Sequence, residues 1–307
     1  MSFGLRAAVS ALAVSRCQLM EAPGEPRRAC PERGNPQRLN ARRLETRLCT
    51  GETGRMGDDF LGGVRQWLEK SGHAFELRIA RAFREGGARP VDMSFSYTDT
   101  GSDALREGDV LAQFGWTAMN DTPASVEVVV ECKSGRDHPW VAFYDKVFAR
   151  GSALEDWVHF AHGPFVGVTE PLAEAWIGYP PFDATRIASH LVAAHAKDSR
   201  NPANDAVRQV LSAAEGRRNR YIERQGQDRR GCVIVPVVVT GGRLVECQLD
   251  ADGKVRLEEV SSAVVAGPRR GEKPARVFVI TESAVQDFAH SILELTTRAH
   301  EQAQLRQ

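Results

Sequence analysis

The chain has 307 residues, of which 42% are hydrophobic and 26% charged, and its formal net charge is zero. These proportions are those of an ordinary globular protein, and the length is enough for one domain of roughly 200–250 residues with appendages. The neutral balance excludes a general polyanion binder, so any contact with nucleic acid requires a local basic patch.

Cysteine spacing and hydropathy argue against two further classes. The six cysteines, at positions 17, 30, 49, 132, 232 and 247, form no C-x-x-C pair, so the spacing of a structural zinc site is missing. Cys132 and Cys232 fall inside apolar runs, where a reduced and buried thiol is the usual state. We therefore expect a reducing compartment and a cytoplasmic protein. No run of about 18 apolar residues occurs, so no membrane segment is expected.

Residues 1–55 are predicted to form a tail outside the fold. They contain ten arginines and five glutamates but neither lysine nor aspartate, a charge of about +5, which leaves about −5 for residues 56–307. Residues 16–55 mix Pro, Arg, Gly and Glu without periodicity, which is typical of disorder. A disordered Arg/Pro-rich tail or a misassigned start is the preferred explanation, and a functional basic arm is the alternative. Residues 56–307 are predicted to form a single domain.

Hydrophobic periodicity predicts two helices and three strands after the tail. The first helix begins at Asp58, and the second lies between Gly72 and the stop at Gly86-Gly87. Alternating and β-branched runs predict strands over residues 91–97, 109–114 and 126–133, separated by loops over 98–108 and 115–125.

The second half of the chain predicts further helices and strands. Helices are predicted from Pro139, from Asp183 to Ala196, and from Asn201, where a cap residue precedes a first-turn proline. Strands are predicted over 233–240, 243–249, 254–260 and 275–281, and a closing helix over 282–302. Pro236 argues that the first of these strands lies at an edge or bulge. The fold class is α/β, with helices packed on a mixed sheet.

The strand over residues 126–133 ends in Glu131-Cys132-Lys133, which places two charges where the hydrophobic run stops. Successive strand residues face opposite ways, so Glu131 and Lys133 share one face and Cys132 points to the other, toward the core. A carboxylate and an ammonium so arranged can hold a divalent metal ion and a water molecule side by side. The alternative is an edge-strand salt bridge without further function.

Three segments place an acid or a lysine at matching points of these elements: G-H-A-F-E-L-R-I-A-R-A-F (72–83), L-R-E-G-D-V-L-A (105–112) and V-V-V-E-C-K-S (128–134). Together they resemble the PD-(D/E)XK nuclease superfamily, the restriction-endonuclease-like fold. The resemblance implies an αβββαβ core with a central mixed sheet, a helical insertion, and C-terminal strands plus a helix. The core would comprise residues 58–149 and about 233–303, and the insertion about 150–230. Gly108 stands where the family has a proline before the aspartate.

The same resemblance implies a divalent-metal-dependent nuclease that hydrolyses phosphodiester bonds, with DNA as the expected substrate and a restriction-like or defence role. Asp109, Glu131 and the backbone carbonyl of Cys132 would bind Mg²⁺, or Mn²⁺ in its place, because hard cations prefer oxygen ligands. Lys133 would orient the attacking water or neutralise the phosphate. Glu76, on the second predicted helix, would bind a second ion or support the first.

Several of these residues have a structural alternative. Glu76 can pair with nearby arginines on a solvated helix face, and Asp99 or Asp103 can take the place of Asp109. Glu107, Gly108 and Asp109 can also belong to a loop acid cluster that pairs with Arg106. Gln209 invites comparison with a glutamine of some relatives, but an ordinary helix-face residue is the preferred interpretation.

The capped helix of the second half becomes basic toward its end, with Arg217, Arg218, Arg220 and Arg224 around Tyr221. These arginines are most simply a solvated face, and contact with nucleic-acid phosphates is the minor interpretation. A second class of function stays open, a catalytically inactive nucleic-acid-binding or assembly module of the same fold. No membrane partner is expected, and a homodimer also stays open.

Overall fold

The computed structural model describes residues 55–144, 161–162, 172, 175, 186–195, 201–224, 230–267 and 275–306. The predicted tail lies outside these residues except for Arg55, as does much of the predicted insertion over about 150–230. The division into a tail and a single domain therefore stays a prediction.

One large mixed sheet organises the described residues. Its strands are β1 (Val91–Thr98), β2 (Leu105–Thr117), β3 (Pro123–Lys133), β4 (Trp140–Tyr144), β5 (Ala161–His162), β6 (Ala188–Ala193), β7 (Gly231–Thr240), β8 (Leu244–Leu249), β9 (Val255–Val260), β10 (Ser262–Ala266) and β11 (Arg276–Thr281). The order across the sheet is β1-β2-β3-β7-β11-β10-β6-β4-β8-β9, and β5 pairs with β7 beside this path. The β3/β7, β7/β11, β6/β10 and β4/β8 pairs are parallel, and the other pairs are antiparallel.

Helices cover both faces of the sheet. They are α1 (Arg55–Ser71), α2 (His73–Glu85), α3 (Pro202–Glu223) and α4 (Val285–Gln304). Two short 3₁₀ turns, Met119–Asp121 and Glu282–Ala284, precede β3 and α4. None of the described helices is long and apolar enough to cross a membrane.

The apolar core is divided between the two faces of the sheet. On one face, Val126, Val128 and Val130 of β3 belong to a cluster with buried side chains of α2 and α4. On the other face, Val129 belongs to a second cluster with α3. The dense β-branched run of β3 is therefore buried on both sides, which is typical of a central strand.

Much of the predicted element order agrees with the structure. Helices cover the expected segments after Asp58, between Gly72 and Gly86, and at the C-terminus, and the strands of the three runs before residue 134 are present. The cap of α3 is also confirmed, because Asn201 Oδ1 accepts the N–H of Ala203 at 3.2 Å and Pro202 opens the helix.

Two predicted helices are wrong within the described residues. Residues 140–144 form β4 instead of the helix expected from Pro139, and residues 188–193 form β6 instead of the middle of the helix expected from Asp183. Both segments are short and apolar, so their periodicity does not distinguish a strand from a buried helix. Pairing with neighbouring strands makes residues 140–144 a strand, because β4 lies between β6 and β8 in the sheet. The strand β10 was not expected at all.

Pro236 does not lie on an edge strand, which corrects the expectation for β7. This strand is buried along its whole length and pairs with β3 throughout, with Pro236 opposite Val129. On its other side, β5 pairs at Cys232 and Val233, whereas the β11 ladder begins at Val237. Pro236 lies in the gap between these two ladders, where its missing N–H leaves no ladder bond unmade.

The strand β2 is longer than predicted and is closely packed at Gly108. It begins at Leu105 rather than at Asp109, and only residues 118–122 separate it from β3. A Cβ atom on Gly108 would lie 2.4 Å from the ring of Phe95 on β1. Glycine at the position of the family proline is therefore required by the packing of this strand.

We predict opposite effects for two glycines inside helices. A Cβ on Gly216 in α3 would lie 2.5 Å from the carbonyl oxygen of Thr98, whereas no atom of the described residues lies within 4 Å of a Cβ on Gly63 in α1. Gly216→Ala should lower the free energy of unfolding by about 1–3 kcal/mol through overpacking. Gly63→Ala, the matched control, should leave it unchanged or raise it by up to about 1 kcal/mol through helix propensity. Urea unfolding of both variants measures this, and equal effects would contradict the close approach of α3 to β1.

Candidate active site

The candidate site lies where β2 and β3 separate. Their antiparallel ladder ends at the pair Val110 and Val130, so the next two residues, Asp109 and Glu131, face each other beyond the last pair. Asp109 Oδ2 accepts the backbone N–H of Cys132 at 2.6 Å. The carboxylate of Asp109 thus replaces a backbone acceptor at the end of the ladder, and it is fixed next to the Glu131-Cys132-Lys133 segment.

Glu131 and Lys133 share the face of β3 that α3 covers, as predicted from strand alternation. Lys133 Nζ lies 2.5 Å from Glu131 Oε1 and donates to Gln209 Oε1 of α3 at 3.0 Å. Gln209 therefore joins the site, which corrects its expected place as an ordinary helix-face residue. Cys132 packs against the core cluster on the opposite face, again as predicted.

Glu76 approaches from the other side of the sheet, on the first turn of α2. Its Oε2 atom lies 3.4 Å from His73 Nδ1, and its side chain is 17% exposed. Among the described residues, no arginine forms the expected alternative ion pair with Glu76. A carboxylate in the first turn of a helix is stabilised by the helix dipole.

A cavity of about 280 Å³ adjoins this group of residues. Glu76, Cys132 and Lys133 reach it from α2 and β3, and His138 and Trp140 line its other side. The cavity joins the two faces at the end of β3, so a ligand there can contact Glu76 and Lys133 together.

The electrostatics of the site centre on Asp109. Burial, and then the negative charge of Glu131, raise the pKa of Asp109 to about 7, and the charge of Glu76 adds to this effect. The N–H of Cys132 and the ammonium of Lys133 lower the pKa of Asp109, but by less than burial and the two carboxylates raise it. Burial likewise raises the pKa of the Cys132 thiol, which makes it a poor nucleophile.

The donor set at this point fits a hard divalent cation. Asp109 and Glu131 offer carboxylate oxygens and Cys132 offers a carbonyl oxygen, and a cation would relieve the repulsion that raises the pKa of Asp109. In the described part of the chain, no three His, Cys, Asp or Glu side chains are grouped as a metal site. A cation here would therefore take backbone or water oxygens in addition to two carboxylates.

Asp99, one of the two alternatives to Asp109, has another role. Asp99 accepts hydrogen bonds from the Ser102 and Ser212 hydroxyls and pairs with Arg106 at 2.7 Å. These hydroxyl bonds lower the pKa of Asp99 to about 2. Asp99 therefore organises its loop and attaches the loop to α3, and Arg106 serves this loop instead of an acid cluster around Glu107.

A buried ion pair beside the site was missed by sequence reasoning. Glu127 on β3 is fully buried, and its carboxylate accepts from Arg217 Nε at 2.7 Å and from the Tyr221 hydroxyl. Burial, and then the charge of Glu127, raise the pKa of Tyr221. The available signal was a lone charge inside an apolar strand, together with an arginine and a tyrosine four residues apart on a helix.

The expected basic face of α3 is only partly exposed. Arg217 is 15% exposed and committed to Glu127, which corrects its assignment to a solvated, phosphate-contacting face. Arg220 and Arg224 are exposed, and Arg218 is half-buried. A contact of these three arginines with nucleic acid stays a prediction.

Comparison of the chain with models of protein families, with curated proteins and with solved structures found no match. The roles of the site residues are therefore inferred from their chemistry and their arrangement.

We predict that Asp109 makes the stability of the protein depend on pH. Its pKa of about 7 lies above the ordinary value of 3.8, so the folded chain holds this proton more tightly than the unfolded chain. The resulting stability is complete below about pH 4 and is lost as the pH rises through 7, on the order of 1.4 kcal/mol for each unit of difference. In EDTA, Asp109→Asn should therefore unfold at higher urea than the wild type at pH 8, and the gap should shrink toward pH 4.

Asn retains an oxygen that accepts the Cys132 N–H, so this change removes the charge and keeps the hydrogen bond. Asp92→Asn, at an exposed position of β1, is the control and should follow the wild type across the pH range. If the difference in urea midpoint between Asp109→Asn and the wild type does not change with pH, the folded protein does not raise the pKa of Asp109.

We predict that the buried ion pair is far more sensitive than a similar pair on the surface. Arg217→Met leaves the buried carboxylate of Glu127 without its counter-ion and should cost roughly 3–5 kcal/mol of unfolding free energy. Arg243→Met breaks an exposed pair with Glu259, whose partners are 73% and 53% exposed, and should change stability little. The double variant Glu127→Leu with Arg217→Met should recover much of the loss. Equal urea midpoints for the two single variants would contradict the buried role.

Proposed function

We propose that this protein is a divalent-metal-dependent nuclease of the PD-(D/E)XK type that hydrolyses phosphodiester bonds in DNA, in a restriction-like or defence role. The observation that carries the proposal is the meeting of Asp109, Glu131 and Lys133 where β2 and β3 separate. Clustered acids beside a lysine are costly for folding, as the raised pKa of Asp109 indicates, and a metal-dependent reaction gives them a use.

The order of the elements supports the restriction-endonuclease-like arrangement. The chain runs from α2 through β1, β2 and β3 to α3 and then β7, with β4, β5 and β6 inserted before α3. The strands β3 and β7 are parallel neighbours, and α3 packs on both of them. This order supports the αβββαβ core that the resemblance implies, with α3 as its second helix in place of the helix expected from Pro139.

Mg²⁺, or Mn²⁺, would be held by Asp109, Glu131 and the carbonyl oxygen of Cys132. Bound there, the ion would lower the pKa of a water molecule and balance the charge that develops on the phosphate. Glu76 contributes to the negative potential at Asp109 from the opposite face, which suits a second ion or an ordered water.

Lys133 is held in place for its proposed role by two acceptors. Its ammonium donates to Glu131 Oε1 and to Gln209 Oε1. An ammonium has three N–H donors, so one remains for the attacking water or a phosphate oxygen. We assign Lys133 to that contact and Gln209 to positioning the ammonium.

The alternative function is a nucleic-acid-binding or assembly module without turnover. It is favoured by the direct contact of Lys133 with Glu131, which is also what a simple strand-end ion pair would give. The two functions differ in whether a metal ion changes the protein and whether the backbone of DNA is cut.

Nicking of supercoiled plasmid in Mg²⁺ or Mn²⁺ tests the proposal. We expect the wild type to nick and EDTA to stop it. Lys133→Ala should lose at least about 100-fold in rate, because its contact stabilises charge in the transition state. Lys254→Ala, at an exposed turn position, is the matched control and should nick like the wild type.

Thermal unfolding separates the nuclease from its alternatives. Mg²⁺ should raise the melting temperature of the wild type and of Lys133→Ala by mass action but not that of Asp109→Asn. If neither ion shifts the wild type at millimolar concentration, the metal site and the nuclease proposal are both wrong. A wild type that binds DNA without cutting it in either ion would support the inactive module.

A further inference from the structure

The strand β9 ends the sheet with one long side open. It pairs with β8, and the sheet path stops there among the described residues. Five of its six residues are exposed, including Val255 at 64% and Leu257 at 62%. An open edge strand presents unpaired backbone N–H and C=O groups and is a ready surface for another strand.

An apolar patch accompanies this edge. In the β8/β9 register, Leu249 lies opposite Val255, and Leu257 lies on the same face two residues further on. All three side chains are at least 60% exposed. A patch of large apolar side chains beside an open strand favours an interaction surface over a solvated hairpin.

The charges on the other face of β9 identify the partner. Arg256 and Glu258 project from that face, two positions apart. Neither side chain makes a hydrogen bond or ion pair within the described part of the chain. They are therefore available to an incoming strand.

These charges complement a second copy of the same strand in one register. When two copies of β9 pair antiparallel about a two-fold axis, residues that lie opposite each other have their side chains on the same face of the sheet. This is possible only if the axis passes through a residue position and not between two residues. With the axis at Arg256, two arginines face each other, and Lys254, which would lie opposite Glu258, precedes the strand with its N–H and C=O both bonded to Asp250. With the axis at Glu258, two glutamates face each other. With the axis at Leu257, Arg256 of each copy faces Glu258 of the other, and the two leucines meet.

We infer that β9 is a dimerisation edge, which pairs antiparallel with β9 of a second copy about Leu257. Like charges placed directly opposite each other destabilise strand pairing and opposite charges stabilise it, so the other two registers are disfavoured. Charges on edge strands commonly block association, and here the same charges select one self-complementary register. This inference does not depend on the proposed nuclease activity.

Sedimentation equilibrium of the full chain tests the inference over concentrations up to roughly 100 µM, since an edge of this length is a small interface. The wild type should approach twice the 33.7 kDa mass of the chain. Arg256→Glu alone places two glutamates opposite each other at both ends of the pair, and Glu258→Arg alone does the same with arginines. Each single variant should therefore sediment as a monomer, with an unchanged circular dichroism spectrum and melting temperature.

Mixing the two single variants is the decisive step. A copy with Arg256→Glu and a copy with Glu258→Arg present opposite charges at both contacts, so the mixture should dimerise although neither component does. The double variant with both changes should dimerise by itself. A monomeric wild type, single variants that remain dimeric, or a mixture that stays monomeric would each overturn the inference.

Discussion

The ion pair between Glu127 and Arg217 fixes the position of α3 on β3, and the candidate site depends on that position. A charge buried in the sheet tolerates only the register of α3 that brings the guanidinium and the Tyr221 hydroxyl to it. Two further contacts act along the same helix. Ser212 donates to Asp99 of the β1–β2 loop, and Gln209 accepts from Lys133 at the site.

The helix α3 thus joins the stable interior to the end of β3 that carries the candidate site. Glu127, in the middle of this strand, contributes its carboxylate to a paired core network. The end of the strand brings Glu131 and Lys133 together, and Lys133 lines the cavity there. The difference in environment matters. Glu127 has its counter-ion at hydrogen-bonding distance, whereas Asp109 lies near two other carboxylates and has a raised pKa. The repulsion at Asp109 is compatible with a folded protein because Glu127 and Arg217 are well paired further along β3.

Local patterns in the sequence predicted the parts of the site that lie within single elements. Glu131 and Lys133 at the end of β3, Asp109 on β2 and Glu76 on α2 all follow from runs of a few residues. The roles of Gln209 and Glu127 did not follow, because each is defined by a partner some 75 to 90 positions away. Periodicity contains no information about such pairs. The same limit explains β4 and β6, two short apolar segments whose state is set by the strands beside them.

The parallel pairing of β3 with β7 has a consequence for biosynthesis. Ala124 is the partner of Gly231, so the ribosome must add 107 residues (231 minus 124) after Ala124 before this ladder can begin to form. Until then the nascent hairpins of β1, β2 and β3 expose the valine-rich side of β3 that β7 later covers. Long-range parallel pairing is slow, and an uncovered apolar strand is prone to aggregate. Production of this protein therefore depends on how well that strand is shielded during translation, and slower growth or chaperone supply should favour soluble material.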